Sequence, residues 1–254
     1  MPNITLANIK GGSGKTTATQ VLASELFAAG AKVCILEGDQ NRPHARWASR
    51  RGFPIIDGPK TPVGSAQEAI SAIESAVGDA RFLVITTDGD DSSVLDWIEA
   101  ASEWAQFVLS DPEGSPNQWM TQVVSQADLV LIPFAPTTLD VDQVQQTIRH
   151  IRSTERMANK RIDYRVLLTR ANAGAVRTRD EREIRESIER NGIPMMGVAL
   201  ADRPAFRGVF KHNVLLAELT ADQAGGLSQA RENARAYAAE VLEHLRAASR
   251  KDAA

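Results

Sequence analysis

The sequence predicts an α/β fold: a mostly parallel, twisted sheet of about seven strands with helices on both faces. Three observations carry this. Short aliphatic runs alternate with longer stretches of helical periodicity, the pattern of repeated βαβ units. The intervening stretches are long enough for right-handed crossovers between parallel strands. The chain of 254 residues, 43% of them hydrophobic, suits one large domain with a sizeable core, so residues 1–254 are expected to form a single domain.

The strands are expected at Ile4–Ile9, Lys32–Leu36, Phe82–Thr86, Phe107–Ser110, Leu129–Pro133, Tyr164–Thr169 and Met196–Leu200. Helical patterns cover Lys15–Ala29, Pro43–Arg51, Ser65–Val77, Ser93–Trp104, Asn117–Ser125, Leu139–Ala158 and Arg177–Arg190. Gly30 stands where a glycine commonly ends a helix. Gly52–Thr61 holds two prolines and two glycines and reads as a surface loop. The final stretch, Leu227–Ala248, reads as a closing helix with Val241 and Leu245 on its apolar stripe.

Composition removes several classes of function. A formal charge of −3 excludes coating of nucleic acid by bulk charge and restricts any DNA contact to a local patch. The single cysteine, Cys34, lies in an apolar run and reads as a buried strand residue; alone it can neither close a disulfide nor bridge an iron–sulfur cluster. No run approaches the roughly 18 to 20 apolar residues of a membrane-spanning helix. The opening Met1–Leu6 lacks the features of a signal peptide and enters a strand directly, so a cytoplasmic protein is expected.

The strongest motif follows the first strand: Lys10-Gly11-Gly12-Ser13-Gly14-Lys15-Thr16-Thr17, then a helix. Glycines let the backbone curl so that successive N–H groups face an anion, and the helix N-terminus adds its dipole at the same place. Gly11 through Thr17 are therefore the expected phosphate cradle of a P-loop NTPase. Within it Lys15 would reach the terminal phosphates, Thr16 would place its hydroxyl on Mg²⁺, and Thr17 would support the α-phosphate.

With Lys10 at its head, this loop resembles the Lys-Gly-Gly-x-Gly-Lys-Thr signature of the ParA/MinD family of deviant Walker ATPases. The resemblance implies that Lys10 reaches the partner's phosphates across a nucleotide-sandwich homodimer. It extends over nearly the whole chain and is sharpest at residues 4–47 and 107–141. Where the family has Asp-x-Asp-Pro-Gln, this chain reads Glu37-Gly38-Asp39-Gln40-Asn41. Asp39 matches the second acid, which implies a role in orienting the attacking water and in holding the metal's water shell. Glu37 and Asn41 depart from the pattern.

Two carboxylates compete for the strand-end position that would bind Mg²⁺ through water: Asp111 after Phe107–Ser110, and Asp88 after Phe82–Thr86. The text after Asp111, a glycine turn, a helix and Ala127–Pro133, resembles the family's next strand and favours Asp111. The absence of an Asn-Lys-x-Asp guanine-reading motif favours ATP over GTP, with Thr169 or Arg170 as candidate base contacts and Asp202–Pro204 with Phe206-Arg207 in the adenine-side loop.

The segment Asp39–Pro43 with Arg46-Trp47 resembles the VirC-type ATPases of T-DNA transfer, within the ParA group. The resemblance as a whole implies a slow, partner-stimulated ATPase switch with Mg²⁺ and ATP as cofactors. ATP closes a homodimer, the dimer binds DNA without sequence preference, and hydrolysis resets it, in plasmid or chromosome partition and in association with the nucleoid. A ParB-like or relaxosome-type protein is the implied partner. VirC-type processing of T-DNA or conjugative DNA, and MinD-like positioning on membranes, are the alternatives. Candidate DNA contacts are Arg177, Arg179, Arg182 and Arg185, on a helix that also carries an acidic row.

Overall fold

The computed structural model describes residues 1–90, 92–174 and 178–252. Seven strands form one wholly parallel sheet: β1 Asn3–Leu6, β2 Val33–Glu37, β3 Ile55–Asp57, β4 Phe82–Thr86, β5 Phe107–Asp111, β6 Leu129–Phe134 and β7 Tyr164–Leu168. Their order across the sheet is β3-β4-β2-β5-β1-β6-β7. The three strands richest in site residues, β2, β5 and β1, are thus neighbours at its centre. Parallel pairing also puts all their C-terminal ends on one edge, the edge where such sheets bind ligands.

The helices are α1 Lys15–Ala28, α2 Pro43–Arg50, α3 Ala66–Val77, α4 Val94–Trp104, α5 Gln118–Gln126, α6 Thr138–Ala158, α7 Arg179–Arg190, α8 Pro204–His212 and α9 Leu227–Asp252. Local chemistry sets several starts. Ser65, Asn117 and Thr178 accept the backbone N–H three residues on, and Pro43 and Pro204 open α2 and α8, where a missing N–H costs nothing. On one face of the sheet, α1, α2, α8 and α9 share an aliphatic core in which Trp47, Phe82 and Tyr237 are fully enclosed. The other face carries α3, α4 and α5 toward one side and α6 and α7 toward the other. Val241 and Leu245 are buried along α9 as the periodicity predicts. Cys34 is fully buried in β2, where the apolar surroundings push its thiol pKa up.

Three expectations are corrected. Met196–Leu200 is not a strand: Met196 and Leu200 donate to the Val166 and Leu168 carbonyls at 2.9 Å, but the pairing amounts only to the isolated flanking bridges Val166–Met195 and Ala171–Ala201. Side chains of α9 occupy part of its backbone instead. Glu240 accepts the N–H groups of Gly197 (2.6 Å) and Val198 (2.7 Å), and Asn233 accepts from Ala201 and donates to Ala199. The proline-rich Gly52–Thr61 is not all loop, because Ile55–Asp57 forms edge strand β3 in register with Val84–Thr86. Its prolines flank the strand instead of interrupting it, and Gly58 passes so close to Thr86 that a Cβ would lie 2.6 Å from the carbonyl oxygen. Pro204, Phe206 and Arg207, expected in a loop, lie in helix α8, Pro204–His212.

Candidate nucleotide and hydrolysis site

The segment from Lys10 to Gly14 links β1 to α1 at the centre of the ligand-binding edge. Gly12 and Gly14 hold positive φ of 77° and 93°, which a side chain would resist. Among the described residues, no protein acceptor takes the N–H groups of Gly11 through Thr17, so this run of donors is left for a ligand. The loop is braced from β7. Thr169 donates its hydroxyl to the Ser13 carbonyl at 2.7 Å and packs against Gly14 so tightly that a Cβ there would meet Thr169 Oγ1 at 3.0 Å. The same hydroxyl lies 3.0 Å from the Phe134 carbonyl, so it also ties the loop to β6.

Lys15 is buried, and its Nζ rests 3.3 Å from the carbonyl oxygens of Asn8 and Lys10. Burial lowers its pKa, opposed by the negative charges of Asp111, Asp39 and Glu113. Thr16 and Thr17 occupy the first turn of α1, and Lys10 is half-buried at the head of the loop. Gly114, following Asp111-Pro112-Glu113, approaches the loop closely. A Cβ on it would fall 2.8 Å from the Gly11 nitrogen, so only glycine fits between these backbones.

Glu37 and Asp111 stand directly opposite each other in the β2–β5 register. Two carboxylates so placed repel, and α2 resolves this. Glu37, fully buried, accepts the N–H groups of His44 (2.6 Å) and Ala45 (3.0 Å) and so caps α2 from a distance. Its burial raises its pKa against the lowering influence of His44 and these hydrogen bonds. Asp111 Oδ2 lies 2.9 Å from His44 Nε2, while His44 Nδ1 lies 2.8 Å from Gln20 Oε1 on α1. Burial disfavours protonation of His44, but the hydrogen bond to Asp111 and the charges of Glu37, Asp111 and Asp39 outweigh it and hold its pKa above the ordinary value. Asp111 Oδ1 is buried without a protein partner.

Asp39 is partly exposed just beyond β2, and its Oδ1 accepts from both the backbone N–H (2.8 Å) and the side-chain amide (3.0 Å) of Asn41. Asn41, a departure from the family pattern, therefore fixes the Asp39 turn. Asp88 is directed elsewhere. It sits at φ 52° and grips Arg42 through two hydrogen bonds, and Arg42 also pairs with both carboxylate oxygens of Asp57. Residue-by-residue reading missed His44, Gln20 and Asp57, and gave Arg42, inside the Asp39–Pro43 segment, no role of its own. Each acts through a contact made only by folding.

A cavity of about 380 Å³ opens beside the loop, lined by Gly14, Thr17, Thr169, Arg170, Phe206 and Arg207. A larger groove of about 780 Å³ lies at the opposite end of the sheet, away from this chemistry, with Lys160, Arg161, Arg246 and Arg250 on its rim. On α7, Arg179 pairs with Glu183 (2.7 Å) and Arg185 with Glu181 (3.2 Å), and Arg182 is exposed; Arg177 lies outside the described residues. Among the described residues, no cluster of three His, Cys, Asp or Glu could hold a metal by itself, and no helix is long and apolar enough to cross a membrane.

A central parallel sheet, a glycine-rich phosphate loop headed by Lys10 and a strand-end aspartate define a P-loop NTPase of the ParA/MinD deviant Walker class. The chain belongs to the VirC1 protein family, whose profile matches residues 1–80 and 84–248. It is 29% identical to protein ParA of Rhizobium radiobacter over 250 residues, covering 98% of this chain and 100% of that one. It is 27% identical over 220 residues to protein virC1 of the same organism, covering 85% and 83%. The fold is shared with the ATP complex of Cyanothece McdA at a TM-score of 0.69 and 16% identity, over 95% of this chain and 96% of that one.

Proposed function

We propose that this chain is a Mg·ATP-dependent ATPase switch that pairs with a second copy of itself in the ATP state and then binds DNA without sequence preference, acting in DNA segregation. The observation that carries the reading is the run of unpartnered N–H groups from Gly11 to Thr17 around buried Lys15, at the edge where β1, β2 and β5 end. These donors fit a polyphosphate. The unpartnered Asp111 Oδ1, the Thr16 hydroxyl and the Asp39 carboxylate are hard oxygen donors that suit hydrated Mg²⁺. When bound, Mg²⁺ would offset phosphate charge during transfer to water.

The protein groups then have distinct roles. Lys15 exchanges its two carbonyl acceptors for terminal phosphate oxygens. Asp39, held by Asn41, orients the attacking water. Lys10 reaches the nucleotide of the second copy, which would make the fully assembled site dependent on pairing. The 380 Å³ cavity takes the adenine and ribose. Hydrolysis is slow and stimulated by a partner protein.

The groove, where Lys160, Arg161, Arg165, Arg246 and Arg250 outnumber Asp128 and Asp163, is a better DNA surface than α7. Arginines 179, 182, 185 and 190 face five acidic residues on that helix, whereas Lys160, Arg161, Arg246 and Arg250 make no ion pair among the described residues. VirC-type processing of T-DNA uses the same site and differs only in cargo; the VirC1 family membership favours keeping it as the second reading. A membrane-bound switch needs a detachable apolar helix, but Tyr237, Val241 and Leu245 of α9 are packed into the core.

The test is DNA binding by Asp39→Ala with ATP, with ADP and without nucleotide, on unrelated duplexes across a salt series, with Lys15→Ala as the control that cannot hold ATP. Binding confined to ATP and steeply weakened by salt supports the switch. Absence of binding by both the variant and the unaltered protein in every condition removes DNA as cargo.

A further inference from the structure

His44 lies outside the phosphate loop, and both of its ring nitrogens meet a buried polar partner. Its ring is fully buried and ties three elements together: α2, which carries it, α1 through Gln20, and β5 through Asp111. Asp111 accepts only, so the proton on Nε2 is required whichever way the Gln20 amide faces. Glu37 fixes the position of the histidine backbone itself by taking the N–H groups of His44 and Ala45. The ring is thereby held from both ends.

The consequence falls on Asp111. Its two carboxylate oxygens are unequal: Oδ2 is occupied by His44, and Oδ1 is buried with no protein partner. A strand-end carboxylate facing Glu37 in register would otherwise be free to rotate. We infer that His44 is a positioning residue for Asp111, holding Oδ2 through Nε2–H so that Oδ1 alone is presented to the hydrated Mg²⁺ of the bound nucleotide. This rests on the Mg·ATP reading given above. The device parallels the way outer hydrogen bonds orient metal-binding groups, whose loss typically costs about 10- to 100-fold in metal affinity or activity.

The device also joins two parts of the site. Asp39 lies five residues before His44, in the turn that leads into α2, and Arg42 between them is clamped by Asp57 and Asp88. The same α2 N-terminus therefore sets both the water-orienting carboxylate and the metal-facing one.

The test is equilibrium binding of a fluorescent ATP analogue, titrated with Mg²⁺ and separately measured in excess EDTA, for the unaltered protein, His44→Leu and His44→Gln. His44→Leu should lower the apparent Mg²⁺ affinity by tenfold or more while leaving Mg²⁺-free nucleotide affinity within about twofold. His44→Gln, which retains one N–H donor of similar reach, should recover most of the loss. Should His44→Leu fail to fold, His44→Asn, too short to reach Asp111, replaces it against His44→Gln. An unchanged Mg²⁺ dependence overturns the assignment, as does an equal loss of affinity with and without Mg²⁺, which would make His44 a scaffold residue only. If the unaltered protein binds the analogue with no Mg²⁺ dependence, the Mg·ATP reading itself fails, and the inference with it.

Discussion

The indole of Trp119 lies directly against the backbone of Gly38. A Cβ on Gly38 would come within 3.0 Å of ring carbons Cη2 and Cζ2, and the indole Nε1 donates to Thr87 Oγ1 at 2.7 Å. Trp119 belongs to α5, which follows Asp111 and Gly114, while Gly38 immediately precedes Asp39. The turn after β2 and the helix after β5 are therefore in van der Waals contact and cannot move independently.

Gly38→Ala should force the indole aside. Overpacking of this kind costs about 1–3 kcal/mol, read as a lowered urea midpoint, and the indole emission should shift as Trp119 loses its Thr87 acceptor. Unchanged emission together with unchanged stability would show that the two segments separate freely.

Thr169→Val tests the brace on the phosphate loop. Valine keeps the shape but removes the donor to Ser13, leaving a carbonyl without its partner at a cost of about 1–3 kcal/mol. Calorimetry should show the loss without nucleotide, and ATP affinity should fall as the loop loosens. Full affinity in the variant would mean that the loop holds its shape alone.

Lys10→Ala tests pairing. ATP binding should survive, because Lys15 and the backbone donors remain, while ATP-dependent association should weaken. Sedimentation velocity at several protein concentrations reads this directly; an unaltered dimer would assign Lys10 to its own nucleotide alone.

Acid should release the clamp around Arg42. Hydrogen bonds from Arg42 and Lys60 hold the Asp57 pKa at about 2, below its ordinary 3.8. A depressed carboxylate pKa gives stability that is fully present above the unfolded value and is lost as pH falls through the folded one. Asp57→Asn should therefore lower stability at neutral pH and flatten its decline between about pH 4 and pH 2, measured by urea melts at each pH. An acid limb of undiminished slope would remove Asp57 as a contributor.

Much of this protein follows from contiguous sequence. Helix starts at Ser65, Asn117 and Thr178, the aliphatic runs of the six strands other than β3, and the phosphate loop depend on residues within a few positions of one another, so their physics is local and visible in order. The sequence by itself determined the fold class and the place of the glycine-rich Lys10–Gly14 loop between β1 and α1. Only the tertiary structure decided the rest. Edge strand β3 exists because β4 offers three residues a ladder, while Met196–Leu200, equally apolar in text, is denied strand status by Glu240 and Asn233 on α9. His44 reaches Asp111 across 67 positions and Gln20 across 24. No periodicity encodes such contacts, because their energy comes from burying polar groups that find partners only after three distant elements have packed.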